Sequence, residues 1–307
     1  MNSINSLINL ALKEDIGDGD ITTNTLIPAN QKSTAIIIAK EPGIIAGLGL
    51  IQPIYHKLSN KIKVTLRKKD GARVSPNTII AIIKGPTRAI LTGERTTLNF
   101  LQRLAGIATL TSQFVAKAKP YGVKILDTRK TVPSWRWLDK YAVKAGGGFN
   151  HRFGLYDAVL IKNNHFKAMQ SSLSGVIPAK AGIQTLWNIL DSRLHGNDRK
   201  IKHLPLEIEV RNLNEFILAL IFLSSNASRK STVPTDRQVI MLDNMTPSQI
   251  KEAVAIRNKT GGPVLLEASG GITLDNVSQF AATGVDYISI GALTHSPKAL
   301  DLALRVN

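Results

Sequence analysis

Between Val123 and Gly291 a short apolar run recurs six times, each ending in a charged or small polar group and most leading towards a helix. Val123–Leu126 runs into Asp127, Thr128, Arg129 and Lys130, and Ala158–Ile161 ends at Lys162. Leu206–Ile208 leads to Glu209, and Val239–Leu242 to Asp243 and Asn244. Val264–Leu266 leads to Glu267, Ala268, Ser269, Gly270 and Gly271, and Asp286–Ile290 to Gly291. Alternation of strands with helices predicts an α/β fold with a parallel sheet. Chemistry at every strand end predicts a barrel, because a barrel's loops converge at that end. Six strands are fewer than the eight of a complete barrel. Helix signals support the alternation: Thr246 can cap with Pro247 in the first position, followed by Ile250, Ala253 and Val254. Val277, Phe280 and Ala281 fall in a helix that Gly284 stops.

The first part of the chain, to about Thr92, reads differently. Leu7, Leu10 and Ala11 predict a short amphipathic helix. Strands are expected at Ala35–Ala39, Ile62–Leu66 and Thr78–Ile83, separated by turn signals at Glu41-Pro42-Gly43, Lys69-Asp70-Gly71 and Lys84-Gly85-Pro86. From Gly93 a helix with Leu98, Leu101, Ala105 and Ala108 on one face bridges into the second domain. The division expected is 1–105 and 106–295, and 296–307 can pack back on the first domain. Two polar, irregular stretches, 170–203 and 224–238, read as insertions or surface loops.

Composition narrows the chemistry. The absence of cysteine excludes disulfides, thiolate catalysis and cysteine-based metal sites. No signal peptide or membrane-spanning segment is evident, so a cytoplasmic protein without a membrane partner is expected. With 39 Lys and Arg against 22 acids, the net charge is +17. That surplus suits acidic small-molecule substrates or nucleic acid, and the placement of the charges favours the former. No Walker loop, dinucleotide glycine motif, His-Glu-x-x-His or nucleophile elbow occurs.

Three groups of residues carry the chemistry. Arg129, Lys130, His151, Arg152 and Lys162 bring four permanent cations and a histidine to one barrel mouth. Arginine grips a carboxylate by paired hydrogen bonds, and lysine meets phosphate as a point charge. Glu209 and Asp243 are strand-end acids that can bind sugar hydroxyls, hold Mg²⁺ or stabilise a cationic transition state, or else pair with neighbouring cations. Glu207 shares the face of Glu209 but lies deeper. Ser269, Gly270, Gly271 and Gly291, at the last two strands, suit a phosphate held by backbone N–H groups.

These residues lie in motifs that resemble the quinolinate phosphoribosyltransferase family. The motifs run in order along nearly the whole chain: Glu14–Gly17 with Gly19–Thr23, Gly93–Phe100, Asp127–Thr131, Lys140–Val143 through Gly146–Gly148 to Asn150-His151-Arg152, Leu155–Lys162, Met241–Met245, Glu267–Ile272 and Gly291–His295. The resemblance implies an N-terminal α/β sandwich beside an incomplete α/β barrel. It also implies transfer of a phosphoribosyl group from phosphoribosyl pyrophosphate to quinolinate with decarboxylation, with Mg²⁺ as cofactor. By the same match Arg95, Arg129, His151, Arg152 and Lys162 hold the quinolinate carboxylates, and Lys130 faces the sugar donor. Glu209 and Asp243 meet the ribose and Mg²⁺, while Ser269, Gly270, Gly271 and Gly291 hold the 5′-phosphate. Catalytic roles fall to Glu209, Asp243 and Lys130. A homodimer or homohexamer is implied, with Arg95 reaching a neighbouring subunit's site.

The chain departs from the family pattern in places. Asn163 stands where an acid is usual, Val132 and Ser134 replace Thr and Gly, and Ala105 replaces Ser. Residues 170–203 exceed the family's connection and contain runs that resemble translated palindromic repeats. A related enzyme for another pyridine acid, and a silent homologue disrupted by the insertions, are therefore alternatives on sequence alone.

Overall fold

The computed structural model describes residues 2–172, 204–228 and 238–306. The chain forms two compact units: Met1–Val115 with Lys130–Phe149 and Gly291–Asn307, and Ala116–Arg129 with Asn150–Ile290. The 105/106 boundary expected from sequence falls inside the helix Glu94–Ala118.

In the first unit an antiparallel sheet has the order β12-β1-β5-β3, built from β1 (Lys32–Ala39), β3 (Lys63–Leu66), β5 (Ile79–Pro86) and β12 (Leu302–Val306). A small pair, β2 (Gly43–Ile44) and β4 (Arg73–Val74), lies apart from it. Alternation along β1 aims Ala35, Ile37 and Ala39 into the unit's core. There they meet Ile51 and Tyr55 of the helix Ile51–Leu58 and Leu98, Leu101 and Ala105 of Glu94–Ala118. The helical stripe Leu98, Leu101, Ala105 and Ala108 is buried throughout, as its spacing predicts. The chain's end joins this unit, with Val306 of β12 opposite Ala35 and Leu302 opposite Ala39.

The helix Asn2–Ile16 forms as expected, with Leu7 and Ala11 half-buried, but one position departs from the reading. Ile8 and Leu12 are buried, whereas Leu10 is 63% exposed. At about 100° per residue, Leu10 stands about 200° round the helix from each of them.

The second unit is built on six parallel strands: β6 (Lys124–Leu126), β7 (Val159–Ile161), β8 (Leu206–Val210), β9 (Gln238–Asp243), β10 (Leu265–Ser269) and β11 (Tyr287–Ser289). Their order is β6-β11-β10-β9-β8-β7. This is the cyclic order of a barrel, opened between β6 and β7 among the described residues. The first strand has paired with the last, and the sheet's two edges are consecutive in the chain. The described helices Asn163–Ser172, Leu213–Ser228, Pro247–Thr260 and Val277–Ala281 follow β7 to β10 in turn. Every residue of β8 is buried, as for a sheet covered on both faces. Thr246 and Gln249 form the capping box of Pro247–Thr260.

Both stretches read as insertions begin or end inside these elements. Gln170–Ser172 close one helix, Ser224–Ser228 close another, and Gln238 opens β9. The apolar run from Phe216 to Leu223 carries that second helix into its Ser- and Asn-containing end. Residues 173–203 and 229–237 lie outside the described residues. No described helix is long and apolar enough to cross a membrane.

Candidate active site

The carboxyl ends of the second unit's strands bring most of the expected residues together. Two Glu residues on β8 organise the group. Glu207 and Glu209 are two apart and so share a face of the strand. Glu209 accepts from Lys162 Nζ at 3.1 Å, just past neighbouring β7. Glu207 Oε2 lies 2.9 Å from His151 Nε2, and Glu267 Oε2 of β10 lies 3.7 Å from the same nitrogen. Residues from three strand tips and the loop before β7 thus meet in one place.

That loop is built by side-chain carboxylates. Asp127, fully buried just beyond β6, accepts the His151 backbone N–H at 2.9 Å. Asp157 accepts the Phe153 and Gly154 N–H groups, and Arg152 Nη1 donates to the Ala158 carbonyl at 3.1 Å. Arg152 is held beside Arg129: burial first, then the like charge of Arg129, pulls its pKa below the ordinary value, with Glu207 and Asp157 opposing. The Nε atoms of both arginines are buried and meet no acceptor among the described residues. Buried guanidinium donors without acceptors are costly and rare in folded proteins.

Asp243 ends β9 as expected. Its Oδ2 accepts from Asn244 Nδ2 at 2.9 Å and lies 3.8 Å from Arg211 Nε. Asn244 takes a left-handed conformation, φ 56°, and its N–H donates to the Ser269 carbonyl at the tip of β10. Gly270 beside it has φ 100°, and a Cβ there would collide with the Asn244 side chain. Ser269 receives a hydrogen bond from Ser289 Oγ of β11 at 3.1 Å.

The remaining expected residues belong to the first unit. Lys130 is exposed and lies against Gly291, where a Cβ would stand 2.9 Å from Lys130 Cδ. Arg95, also exposed, is the second residue of Glu94–Ala118. Glu209 sits one residue before the end of β8 and is buried, rather than closing the strand.

Sequence reasoning gave too little weight to Glu207 and assigned no role to Glu267 or Asp127. A signal was present: acids at inward positions of otherwise apolar strands have no place in a core unless they are paired. The ligand atoms of His151, Glu207 and Glu267 lie within 4.8 Å of one another, close enough to suggest a metal. As they stand, His151 Nε2 and Glu207 are joined by a 2.9 Å hydrogen bond, and Arg152 lies close enough to feel the charge of Glu207.

Comparison with known proteins agrees with this architecture. Residues 20–105 match the family model "Quinolinate phosphoribosyl transferase, N-terminal domain", and residues 107–305 match the corresponding C-terminal domain. The chain is 38% identical over 303 residues to the probable nicotinate-nucleotide pyrophosphorylase [carboxylating] of Bacillus subtilis, covering 99% of this chain and 93% of that protein. It is 38% identical to quinolinate phosphoribosyltransferase [decarboxylating] 1b of Nicotiana tabacum, covering 99% of this chain and 82% of that one. The solved nicotinate-nucleotide pyrophosphorylase of Francisella tularensis superposes with a TM-score of 0.81 at 37% identity, covering 100% of this chain and 96% of its own.

The buried acids make stability depend on pH. Burial, and next the charge of Glu207, pushes the Glu267 carboxyl from 4.5 up to about 8, against the pull of His151 and a hydrogen bond from Ser289. Between these values the folded state keeps a proton that the unfolded chain has released. Stability due to this group is therefore full below the unfolded value and falls as pH rises towards 8, by at most about 1.4 kcal/mol per pH unit. Glu267→Gln keeps the shape and removes the titration. Urea unfolding between about pH 5 and 8 should show the variant gaining on the parent as pH rises; parallel curves would exclude a protonated Glu267.

Proposed function

The chain belongs to the quinolinate phosphoribosyltransferase family, and from that premise we propose that the strand tips of its second unit grip the two carboxylates of quinolinate. The activity is the family's: a pentosyltransferase of NAD biosynthesis moves phosphoribosyl from phosphoribosyl pyrophosphate to quinolinate. Nicotinate mononucleotide, CO₂ and pyrophosphate are the products.

The observation that carries the site assignment is the pair Arg129 and Arg152, two like charges held close together and half-buried. A carboxylate placed against the two guanidiniums would relieve their repulsion, and a dianion would do so best. Lys162 completes the wall in this reading, with His151 behind Arg152, and Lys130 faces the sugar donor. Ser269, Gly270, Gly271 and Gly291 take the 5′-phosphate, which the left-handed turn at Gly270 favours by exposing backbone N–H groups.

With both substrates aligned, the pyridine nitrogen attacks the anomeric carbon as the bond to pyrophosphate breaks. Positive charge developing on the ribose is stabilised by Glu209 and Asp243. The ring nitrogen is now cationic. It draws in the electron pair left on carbon 2 when the 2-carboxylate departs as CO₂, and a proton then replaces the carboxylate. The chain's contribution is positioning and fixed charge. Two carboxylates on adjacent strands, Glu209 and Asp243, fit a hard cation that takes one or two protein carboxylates along with phosphate and water. These two residues would hold Mg²⁺, which when bound neutralises charge on the pyrophosphate.

Purified protein supplied with quinolinate, phosphoribosyl pyrophosphate and Mg²⁺ should release CO₂ and pyrophosphate in equal amounts. Arg129→Ala should weaken quinolinate binding about a hundredfold, as expected when a buried partner of a charged pair is removed. Binding at the parent's strength would refute this site.

In this reading the chain acts as a homodimer or homohexamer in which Arg95 serves the neighbouring subunit's site. Its exposed place at a helix start suits that reach. Mixing Arg95→Ala and Arg129→Ala chains in equal amounts should then restore about a quarter of full activity, since half the pairs are mixed and each holds one intact site. No restoration would place Arg95 in its own subunit's site.

A further inference from the structure

The ring of His151 has both nitrogens engaged. Nδ1 accepts the backbone N–H of Arg152 at 2.8 Å, so in this geometry the proton sits on Nε2. Nε2 faces Glu207 Oε2 at 2.9 Å and Glu267 Oε2 at 3.7 Å. A ring so held has no nitrogen to turn towards a substrate carboxylate. What it does instead is fix the backbone at Arg152, whose guanidinium lies beside Arg129.

We propose that Glu207, backed by Glu267, is a positioning residue: it holds the Nε2 edge of His151, and His151 in turn sets the place of Arg152, the side chain that grips the pyridine substrate. This rests on the reading of the site given above, and it assigns His151 the work of a bracket rather than a direct ligand.

Three features support the chain of contacts. The glutamates come from different strands, β8 and β10, and are 6% and 1% exposed, so the sheet itself holds them. The His151 backbone is pinned separately by Asp127, also fully buried. The ring is thus the adjustable link between a rigid sheet and the loop that bears Arg152. Burial beside Glu207 favours a neutral Glu267, which removes the repulsion two ionised carboxylates would have at one ring edge. Among the described residues, Glu207, Asp127 and Arg152 bring charge to this edge.

Two measurements test it. Nitrogen-15 NMR of the histidine rings in the full chain reads the tautomer of His151 without reference to activity. The expected result is a proton on Nε2 and a bare Nδ1, with that preference lost in Glu207→Ala. A proton on Nδ1 in the parent would overturn the clamp even if the enzyme turns over normally.

The second measurement is calorimetric. Glu207→Ala should weaken quinolinate binding by about tenfold or more, as misplacing a gripping group does, while phosphoribosyl pyrophosphate binds as before. Glu207→Gln, whose amide oxygen still accepts from Nε2, should recover most of that loss. Equal loss for both substrates, or no recovery by Gln, would mean a general structural role and overturn the proposal. Should Glu207→Ala fail to fold, Glu267→Gln and Glu207→Gln carry the comparison, with a milder loss confined to quinolinate expected. If the parent binds no quinolinate at all, the site reading fails, and the tautomer still decides the clamp.

Discussion

Parallel pairing of β11 with β6 is the contact on which the functional geometry depends. Tyr287, Ile288 and Ser289 run beside Lys124, Ile125 and Leu126, and the Ile290 N–H reaches the Leu126 carbonyl at 3.0 Å. Without it β6 would have no partner among the six described strands. With it, residues that follow β6 share one end of the sheet with residues that follow β10 and β11. Asp127 therefore comes into the same neighbourhood as Glu267, although the chain between them is long.

That convergence has an electrostatic cost. Arg129, Arg152 and Lys162 are like charges at one sheet end, and partial burial makes their repulsion larger than it would be in water. The protein offsets it from beneath. Glu209 pairs with Lys162, and Glu207 and Asp157 lie close enough to Arg152 to favour its charge. Asp157 accepts backbone N–H groups of the loop carrying Arg152. These acids hold the cations still but do not consume the buried Nε donors of the two arginines. A preorganised donor set of this kind acts without reorganising when substrate arrives, and enzymes gain most from that arrangement.

Much of this was legible in the sequence because the relevant signals are local. Each barrel strand is an apolar run closed by a polar residue, and Arg129, Lys162 and Asp243 stand where that pattern puts them. The stripe from Leu98 to Ala108 and the Thr246 cap were equally plain. What was not legible depends on pairing across long separations. Nothing in the sequence near Glu267 announces His151 as its partner, so a decisive acid looked like part of a turn motif. Residues of one expected domain, such as Lys130 and Gly291, lie in the other compact unit, because the fold of a loop and not its place in the chain decides where it packs. The face of the first helix was misjudged at Leu10, where a single exposed leucine weakened a reading based on a few apolar positions.

In the proposed site the paired guanidiniums select a dianion over a monoanion. Calorimetric titration of the protein with quinolinate and, separately, with nicotinate tests it most directly, since the two ligands differ by one carboxylate. The expected result is quinolinate bound tighter by roughly 10- to 100-fold, the equivalent of one charged hydrogen-bonding group of about 1.5–3 kcal/mol. Equal affinities, or a preference for nicotinate, would contradict it.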